Sequence, residues 1–230
     1  MCAVLGAGIA MGLGAIGSAV GEGFIAMKAV QALGRQPRAA AKLVRTMLIG
    51  QAVTETASIF ALVIALILVF QGNSTEFVKG FTYLAAGLAI GLGTIGSGFG
   101  SGLPGGSACE GIGRQPESAD VITINMLIGQ AVTQTATIFS LTIALILIML
   151  EPRQDIIKIF SILGAGCAMG FGAIGPGIGD GLVAKKANLA VGNNPRNMGL
   201  LTRTMLIGQA VTETTDIYSM VIALILIFII

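Results

Sequence analysis

The stretch "MLIGQAVTETASIFALVIALILVF", residues 47–70, is almost wholly apolar, yet it contains one carboxylate, Glu55. A bilayer core about 30 Å thick is crossed by roughly 20 apolar residues in a helix. The stretch therefore predicts a membrane-spanning helix with an acid inside the bilayer. An ionisable residue at that depth costs at least about 2.5 to 3.5 kcal/mol, which makes Glu55 a candidate functional residue.

The composition of the whole chain agrees with a membrane protein. Of its 230 residues, 54% are hydrophobic and 10% are charged, whereas a soluble domain carries roughly 25% charged residues. Apolar segments long enough to span a bilayer cover residues 2–32, 43–70, 77–111, 121–150, 156–190 and 198–229. We therefore expect an all-α membrane protein with six transmembrane helices.

The chain repeats itself with a fixed period. "MLIGQAVTET" begins at residue 47, "MLIGQAVTQT" at 126 and "MLIGQAVTET" at 205, so successive copies are 79 residues apart. The polar turns "GRQP" at 34, "GRQP" at 113 and "GNNP" at 192 keep the same spacing. The sequence thus predicts three tandem helical hairpins, at residues 1–74, 75–153 and 154–230. Because each hairpin spans the membrane twice, all three share one orientation, which argues against an inverted-repeat transporter.

The first helix of each hairpin is rich in glycine, as in "GAGIAMGLGAIGSAVGEG". Glycine destabilises a helix by about 1 kcal/mol relative to alanine, so this density needs a reason. Small residues let helices approach closely in lipid, and a stripe of them suits the crowded inside of a ring. A phosphate-binding glycine loop would need a preceding strand, which the pattern does not contain.

Polar residues recur at two equivalent positions within the predicted bilayer. The second helices carry Glu55, Gln134 and Glu213, and the first helices carry Glu22, Ser101 and Asp180. Counted from the turn, the two positions lie at similar depth on antiparallel helices. Carboxylates, hydroxyls and backbone carbonyls are hard oxygen ligands for a cation. The structural alternative is a hydrogen bond between protonated acids, although Ser or Gln would join helices at lower cost.

Basic residues concentrate at the hairpin turns, whereas the other connections are near charge balance. The basic residues at the turns are Arg35, Arg38, Lys42, Arg45, Arg114, Lys185, Lys186, Arg196 and Arg203. By the positive-inside rule, we expect cytoplasmic turns, both termini on the opposite side, and a place in the cell inner (plasma) membrane. So few basic residues, spread over three turns, do not predict nucleic-acid binding.

The order of glycine-rich helix, "GRQP" turn, "GQAVTET" and "IYSMVIALILIF" resembles the c subunit, or proteolipid, of rotary F-type ATP synthases, here fused three times. The resemblance covers essentially the whole chain. It implies a rotor ring of c subunits with the glycine helices inside, in contact with a stator a subunit, central-stalk subunits and membrane lipids. The chain would then be a non-catalytic part of the enzyme complex. The family's stalk contacts map to Arg35, Gln36, Pro37, Arg114, Gln115 and Pro116, whereas the third turn departs with Asn193 and Asn194.

The resemblance also implies the identity of the carried ion. Sodium-carrying members are similar in having a polar residue on the inner helix, a hydroxyl after the acid and a tyrosine one turn later. The third hairpin has this set in Asp180, Val211 (through its carbonyl), Glu213, Thr214 and Tyr218. The first hairpin has Glu22, Val53, Glu55 and Thr56, with Phe60 in place of the tyrosine. We therefore expect Na⁺ as the transported ion, no other cofactor, and one proton retained by each acid pair.

The second hairpin is expected to carry no ion, because Gln134 and Ser101 replace the acids. Two ion positions on three hairpins would lower the ion-to-ATP ratio, whether the ring holds this chain alone or mixed with single-hairpin subunits. The alternatives are an H⁺-carrying ring subunit, a V- or A-type proteolipid, and a freestanding channel or structural membrane protein. The sequence leaves open which inner acid serves which outer acid.

Two further features have no assigned role at this point. Asp216 lies three residues after Glu213, and the other hairpins have Ser58 and Thr137 there. It could tune the third site, face the stator or hydrogen-bond locally. Glutamines recur in all three copies, whether or not the acid is present, which favours helix packing or hydrogen bonding over ion ligation; they are Gln51, Gln130 and Gln209.

Overall fold

A computed structural model of the protein describes residues 1–71 and 77–229. In these ranges the chain forms eight α-helices: α1 (Cys2–Arg35), α2 (Ala40–Gln71), α3 (Phe77–Arg114), α4 (Ala119–Thr133), α5 (Thr135–Met149), α6 (Ile156–Gly172), α7 (Ile174–Asn193) and α8 (Met198–Phe228). The predicted boundary between the first two hairpins, at residues 74 and 75, lies outside the described residues.

The helices group into membrane-length segments. Over the described ranges, six segments are long and apolar enough to cross a membrane: Cys2–Arg35, Pro37–Phe70, Phe77–Arg114, Pro116–Met149, Ile156–Asn193 and Pro195–Phe228. The prediction of an all-α membrane protein with six spanning helices is confirmed. We call the segment pairs hairpins 1, 2 and 3, and the end of the bundle that holds their turns the turn end.

The three hairpin turns share one backbone conformation. Gln36, Gln115 and Asn194 have φ between −143° and −133° and ψ between 71° and 78°. Each precedes a proline, which disfavours the helical region for the residue before it and so ends the first helix. The proline then opens a 3₁₀ turn (Pro37–Ala39, Pro116–Ser118 or Pro195–Asn197) that starts the second helix, where its missing N–H is not needed.

Two of the six segments are interrupted for one residue. Ala173 separates α6 from α7, three residues before Pro176. Proline lacks an N–H and its ring clashes with the carbonyl four residues earlier, so it accounts for this break. Gln134 separates α4 from α5 with no proline nearby, at the position where the other hairpins carry Glu55 and Glu213.

The hairpins stand side by side in chain order and form two layers. In the inner layer, α3 lies between α1 on one side and α6 and α7 on the other, with extensive contact to each. In the outer layer, α4 and α5 lie between α2 and α8 but touch them much less. Because the inner helices pack more closely than the outer helices, we infer that each hairpin is a wedge, as an arc of a ring requires.

Glycine makes the close inner packing possible. A Cβ added to Gly98 would lie 2.5 Å from the backbone nitrogen of Ser18 on α1. On the other side of α3, a Cβ added to Gly181 would lie 2.6 Å from the Cα of Gly100. Real Cβ atoms do not approach backbone atoms so closely. The inner helices therefore contact one another backbone to backbone. This close packing explains why these helices contain so many glycines, although glycine lowers helix stability.

Replacing Gly100 by Ala is expected to destabilise the chain by about 1 to 3 kcal/mol, because the new Cβ would overlap the backbone carbonyl of Gly177. Thermal unfolding of the purified chain in detergent measures the change. Gly34→Ala is the matched control: it lies in α1, and its added Cβ would meet no atom within 4 Å. A control that melts lower than Gly100→Ala would contradict this account of the glycines.

Candidate ion-binding site

A ladder of glutamine hydrogen bonds fixes the register between hairpins. The side-chain nitrogen of Gln130 donates to the carbonyl of Ser101 in its own hairpin at 2.9 Å and to that of Gly50 in hairpin 1 at 3.0 Å. Gln209 repeats this one hairpin later, with Asp180 at 3.3 Å and Gly129 at 3.1 Å. The prediction that these glutamines serve hydrogen bonding is confirmed.

The acid of the third hairpin lies between hairpins 2 and 3. The Glu213 carboxylate contacts the hydroxyl of Thr135 at the start of α5. That hydroxyl also lies 2.7 Å from the backbone carbonyl oxygen of Val132. On the inner side, Asp180 of α7 is fully buried and accepts a hydrogen bond from the hydroxyl of Thr212. Two carboxyls, two hydroxyls and a carbonyl thus meet at one level of the bundle.

The equivalent position between hairpins 1 and 2 is occupied by Gln134. Its amide nitrogen donates to the backbone carbonyl of Val53 on α2 at 3.1 Å and lies 3.2 Å from the hydroxyl oxygen of Ser101 on α3. The hydroxyl of Thr56 lies 2.6 Å from the same Val53 carbonyl oxygen. This place has the same backbone and hydroxyl groups as the one at Glu213, but it has no carboxylate.

The acid of the first hairpin lies at an open edge. Glu55 on α2 is exposed, and Glu22 on α1 is close enough for the two carboxylates to interact electrostatically. Gln51 donates to the carbonyl of Glu22 at 3.3 Å. Within the described chain no hairpin precedes this edge, so it receives no carbonyl or hydroxyl equivalent to those that Val132 and Thr135 bring to Glu213.

The opposite edge, on hairpin 3, presents the groups that the first edge lacks. Val211 is 65% exposed, and Thr214 is exposed with its hydroxyl donating to the Val211 carbonyl at 2.7 Å. Tyr218, one turn further along α8, is also 65% exposed. The predicted ligands of the third hairpin are therefore divided between two places: Glu213 contacts hairpin 2 and Asp180 lies buried beside Thr212, whereas Val211, Thr214 and Tyr218 are exposed at the opposite edge.

The grouping of ligands by hairpin, as drawn from the sequence, differs from the observed grouping. The sequence groups Val53 and Thr56 with Glu55, but the structure places the Val53 carbonyl against Gln134 of the next hairpin. The reason is that each outer helix packs beside the preceding one, so the acid of one hairpin meets the carbonyl and hydroxyl of its neighbour. Sequence reasoning missed Val132 and Thr135, although the 79-residue repeat relates them to Val53 and Thr56.

The side chain of Asp216 is fully buried, so it does not face outward to a stator. Among the described residues, neither of its carboxylate oxygens has a hydrogen-bond partner. The interpretation that Asp216 forms a local hydrogen bond is therefore excluded as well. In hairpin 2 the equivalent Thr137 hydrogen-bonds the hydroxyl of Ser97, but Pro176 stands in the place of that serine in hairpin 3. Because Asp216 is buried on α8 three residues after Glu213, its placement favours a role at the third site.

Asp216→Thr is expected to stabilise the chain by about 1 to 3 kcal/mol in sodium-free buffer at neutral pH, because it removes a buried acid without a partner. The double variant Pro176→Ser, Asp216→Thr should be at least as stable, since it recreates the Ser97 and Thr137 hydrogen bond of hairpin 2. Thermal unfolding measures both variants. A fall in stability would mean that a bound cation compensates Asp216 even in nominally sodium-free buffer.

The residues matched to stalk contacts lie at the turn end. Arg35, Pro37, Arg114 and Gln115 are exposed there, and Gln36 and Pro116 are half-buried. The carbonyl of Pro116 also accepts a hydrogen bond from Lys42 of hairpin 1 at 2.9 Å. These two turns are thus exposed to a partner, and the second turn is hydrogen-bonded to hairpin 1.

Comparisons with known proteins match each hairpin separately. The family model for the ATP synthase C subunit matches three times, at residues 5–68, 84–147 and 163–226. The ATP synthase c subunit of Alkaliphilus oremlandii is 56% identical over 75 residues, which is 33% of this chain and 84% of the relative. The c subunit of Petrotoga mobilis is 53% identical over 68 residues (30% and 71%), and that of Thermotoga maritima is 43% identical over 80 residues (35% and 94%).

These relatives each align with about one third of the chain but with most of their own length. Each 79-residue repeat therefore corresponds to one copy of the family's domain. The chain belongs to the family of ATP synthase c subunits, as a membrane-embedded protein that carries three tandem copies of that family's domain.

Proposed function

We propose that the chain is an ion-binding rotor-ring subunit of a rotary ATP synthase that carries Na⁺ on Glu55 and Glu213 and no ion on its second hairpin. The observation that carries this proposal is the arrangement at Glu213, where carboxylate, hydroxyl and backbone carbonyl oxygens from two hairpins come together. Such oxygens are the preferred ligands of a hard, unpolarisable cation.

Sodium is favoured over a proton by the number of oxygen atoms around the acid. A proton needs only one carboxyl in an apolar setting, whereas the third site assembles Glu213, Asp180, Thr135 and the Val132 carbonyl. In the described chain, Oδ2 of the fully buried Asp180 has no hydrogen-bond partner, as expected if a cation or a proton completes the site. Two carboxyls around one Na⁺ leave a surplus negative charge, so we infer that one carboxyl retains its proton.

The site at Glu55 would be completed by a neighbouring subunit of the ring. The edge of hairpin 3 offers the Val211 carbonyl and the Thr214 hydroxyl, which are equivalent to the groups that hairpin 2 brings to Glu213. Beside this edge, α7 and α8 leave an apolar groove of about 500 Å³ that includes Leu201 and Met205. The equivalent surface of hairpin 1 is covered by hairpin 2 through residues such as Ile122 and Met126.

The same proposal covers the hairpin boundaries, the partners and the location of the chain. The units are hairpins at residues 1–74, 75–153 and 154–230, assembled with other c subunits, a stator a subunit, central-stalk subunits and membrane lipids. The turns with Arg35, Gln36, Pro37, Arg114, Gln115 and Pro116 would face the cytoplasm and the stalk, and the membrane would be the cell inner membrane. Because Ser101 and Gln134 bring no acid, each chain would move two ions, which lowers the ion-to-ATP ratio.

Carbodiimide labelling of the purified ring tests the proposal. Dicyclohexylcarbodiimide is expected to modify Glu55 and Glu213, detected by mass spectrometry, and millimolar Na⁺ at neutral pH should protect both. Gln134 provides an internal control, because it has no carboxyl to react. Labelling that depends on pH but not on Na⁺ would establish the H⁺-carrying alternative. A chain that migrates as a 23.3 kDa monomer and never as a ring would favour a freestanding channel or structural protein.

A further inference from the structure

Gln134 does more than remove a charge from the second hairpin, because its side chain hydrogen-bonds groups in two hairpins. The amide nitrogen lies 3.1 Å from the Val53 carbonyl oxygen of hairpin 1 and 3.2 Å from the Ser101 hydroxyl oxygen of its own hairpin. The residue is only 7% exposed. Both groups are repeat equivalents of groups at the third site: Val53 of Val132, and Ser101 of Asp180.

The backbone at Gln134 is also distinct. Its two acidic counterparts lie inside the continuous helices α2 and α8, whereas the outer helix of hairpin 2 is interrupted at this residue between α4 and α5. The Gln134 N–H still donates to the Gln130 carbonyl at 3.1 Å, and the Gln134 carbonyl accepts from the Ile138 N–H at 3.2 Å, so the helical hydrogen bonds continue through the interruption. Of the three equivalent outer-helix positions, only Gln134 carries an amide, and only there is the outer helix interrupted.

The chemistry of the bridge explains its role. At the third site the facing groups are oxygen acceptors, which repel one another unless a cation or a proton lies between them. At the second site an NH₂ group supplies two donor hydrogens to the acceptors that remain, the Val53 carbonyl and the Ser101 hydroxyl. A neutral amide thus satisfies these two oxygens without the charge of an ion, while its own carbonyl oxygen Oε1 has no hydrogen-bond partner among the described residues.

We propose that the Gln134 carboxamide takes the place of the carried ion and holds hairpins 1 and 2 in the ion-loaded arrangement permanently. Gln134 is then a positioning residue, which keeps the second site closed as it passes the stator, while the contact between hairpins 2 and 3 depends on an ion at Glu213. This inference rests on the proposed function for the identity of the ion, but not for the bridge itself.

The test compares melting temperatures of the purified ring with NaCl and with KCl at constant pH. Gln134→Ala should lower the melting temperature by the same amount in both salts, because it removes an ion-independent bridge. Gln134→Glu should lower it in KCl and recover it in NaCl, because a carboxylate needs the ion between itself and the Val53 carbonyl.

Glu213→Gln is the decisive variant, because it adds a bridge rather than removing one and so does not depend on an unstable ring. It should raise the melting temperature in KCl towards the wild-type value in NaCl. It should also reduce the sodium-dependent shift by about half, since each occupied site contributes its own stabilisation. A Glu213→Gln ring that is no more stable in KCl than wild type would overturn the proposal, as would a Gln134→Ala ring of unchanged stability.

The two proposals fail in different ways. If the wild-type ring shows no sodium-dependent shift at all, sodium is not the carried ion. The bridge is then tested by the same variants with pH in place of Na⁺: Gln134→Ala should still lower the melting temperature at every pH, and Gln134→Glu should recover only on acidification. Absence of the Gln134→Ala shift, with a normal sodium response of wild type, would overturn the bridge alone.

Discussion

An ATP synthase whose rotor chains carry both Glu55→Gln and Glu213→Gln is expected to lose ion-driven ATP synthesis entirely. The double variant leaves no acid at the three equivalent outer-helix positions, because hairpin 2 already has Gln134. The membrane potential acts on charge, at about 2.3 kcal/mol per elementary charge per 100 mV, so a rotor without exchangeable charge receives no driving energy. ATP synthesis by reconstituted vesicles with an imposed sodium gradient and potential measures the loss.

The single variants provide the matched controls for this loss. Glu213→Gln removes the site that lies within one chain, and Glu55→Gln removes the site that we assign to the contact between chains. Each should halve the Na⁺ bound per chain, measured with radioactive sodium on the purified ring. Full synthesis in the double variant would show that neither acid carries the coupling ion.

Gln134→Glu is expected to raise the ions carried per chain from two to three, which is about 1.5-fold more charge per turn. The remaining ligands are in place, because the Val53 carbonyl, the Thr56 hydroxyl and the Ser101 hydroxyl already surround the position. With more ions per ATP, synthesis should begin at a smaller imposed gradient. The measurement is the threshold potential for ATP synthesis at constant sodium gradient and constant ATP/ADP ratio.

A control variant distinguishes the effect of the new carboxylate from the effect of losing the Gln134 hydrogen bonds. Gln134→Met removes the hydrogen bonds and keeps a side chain of similar length, so it should leave the threshold unchanged if the ring remains assembled. An unchanged threshold in Gln134→Glu, together with three Na⁺ bound per chain, would mean that the third ion binds but is not moved. An unchanged Na⁺ stoichiometry would mean that the second hairpin cannot become an ion site.

The sequence predicted the fold because each part of it is set locally. The bilayer thickness fixes the length of an apolar helix, and a proline after a polar residue fixes each hairpin turn. The 79-residue repeat and the "GQAVT" motif, which occurs in every hairpin, then identify three copies of one family unit. The acids stand out because so few charged residues occur within the apolar segments.

The pairing of ligands could not be predicted, because it depends on how separate hairpins align. That alignment follows from backbone contacts at glycines such as Gly98 and Gly100 and from hydrogen bonds of Gln130 and Gln209 across hairpins. These contacts join residues about 80 positions apart, so no local pattern reveals them. They place Thr135 against Glu213 and the Val53 carbonyl against Gln134.

By itself, then, the sequence determined the spanning helices, their grouping into hairpins, the family and the positions of Glu55, Gln134 and Glu213. Only the tertiary structure decided that Asp216 is buried without a hydrogen-bond partner, that Gln134 bridges two hairpins, and that Glu213 lies between two hairpins while Glu55 lies at an edge. The physical reason is that composition and periodicity act within one helix, whereas the groups of the proposed ion site come together only where neighbouring hairpins meet.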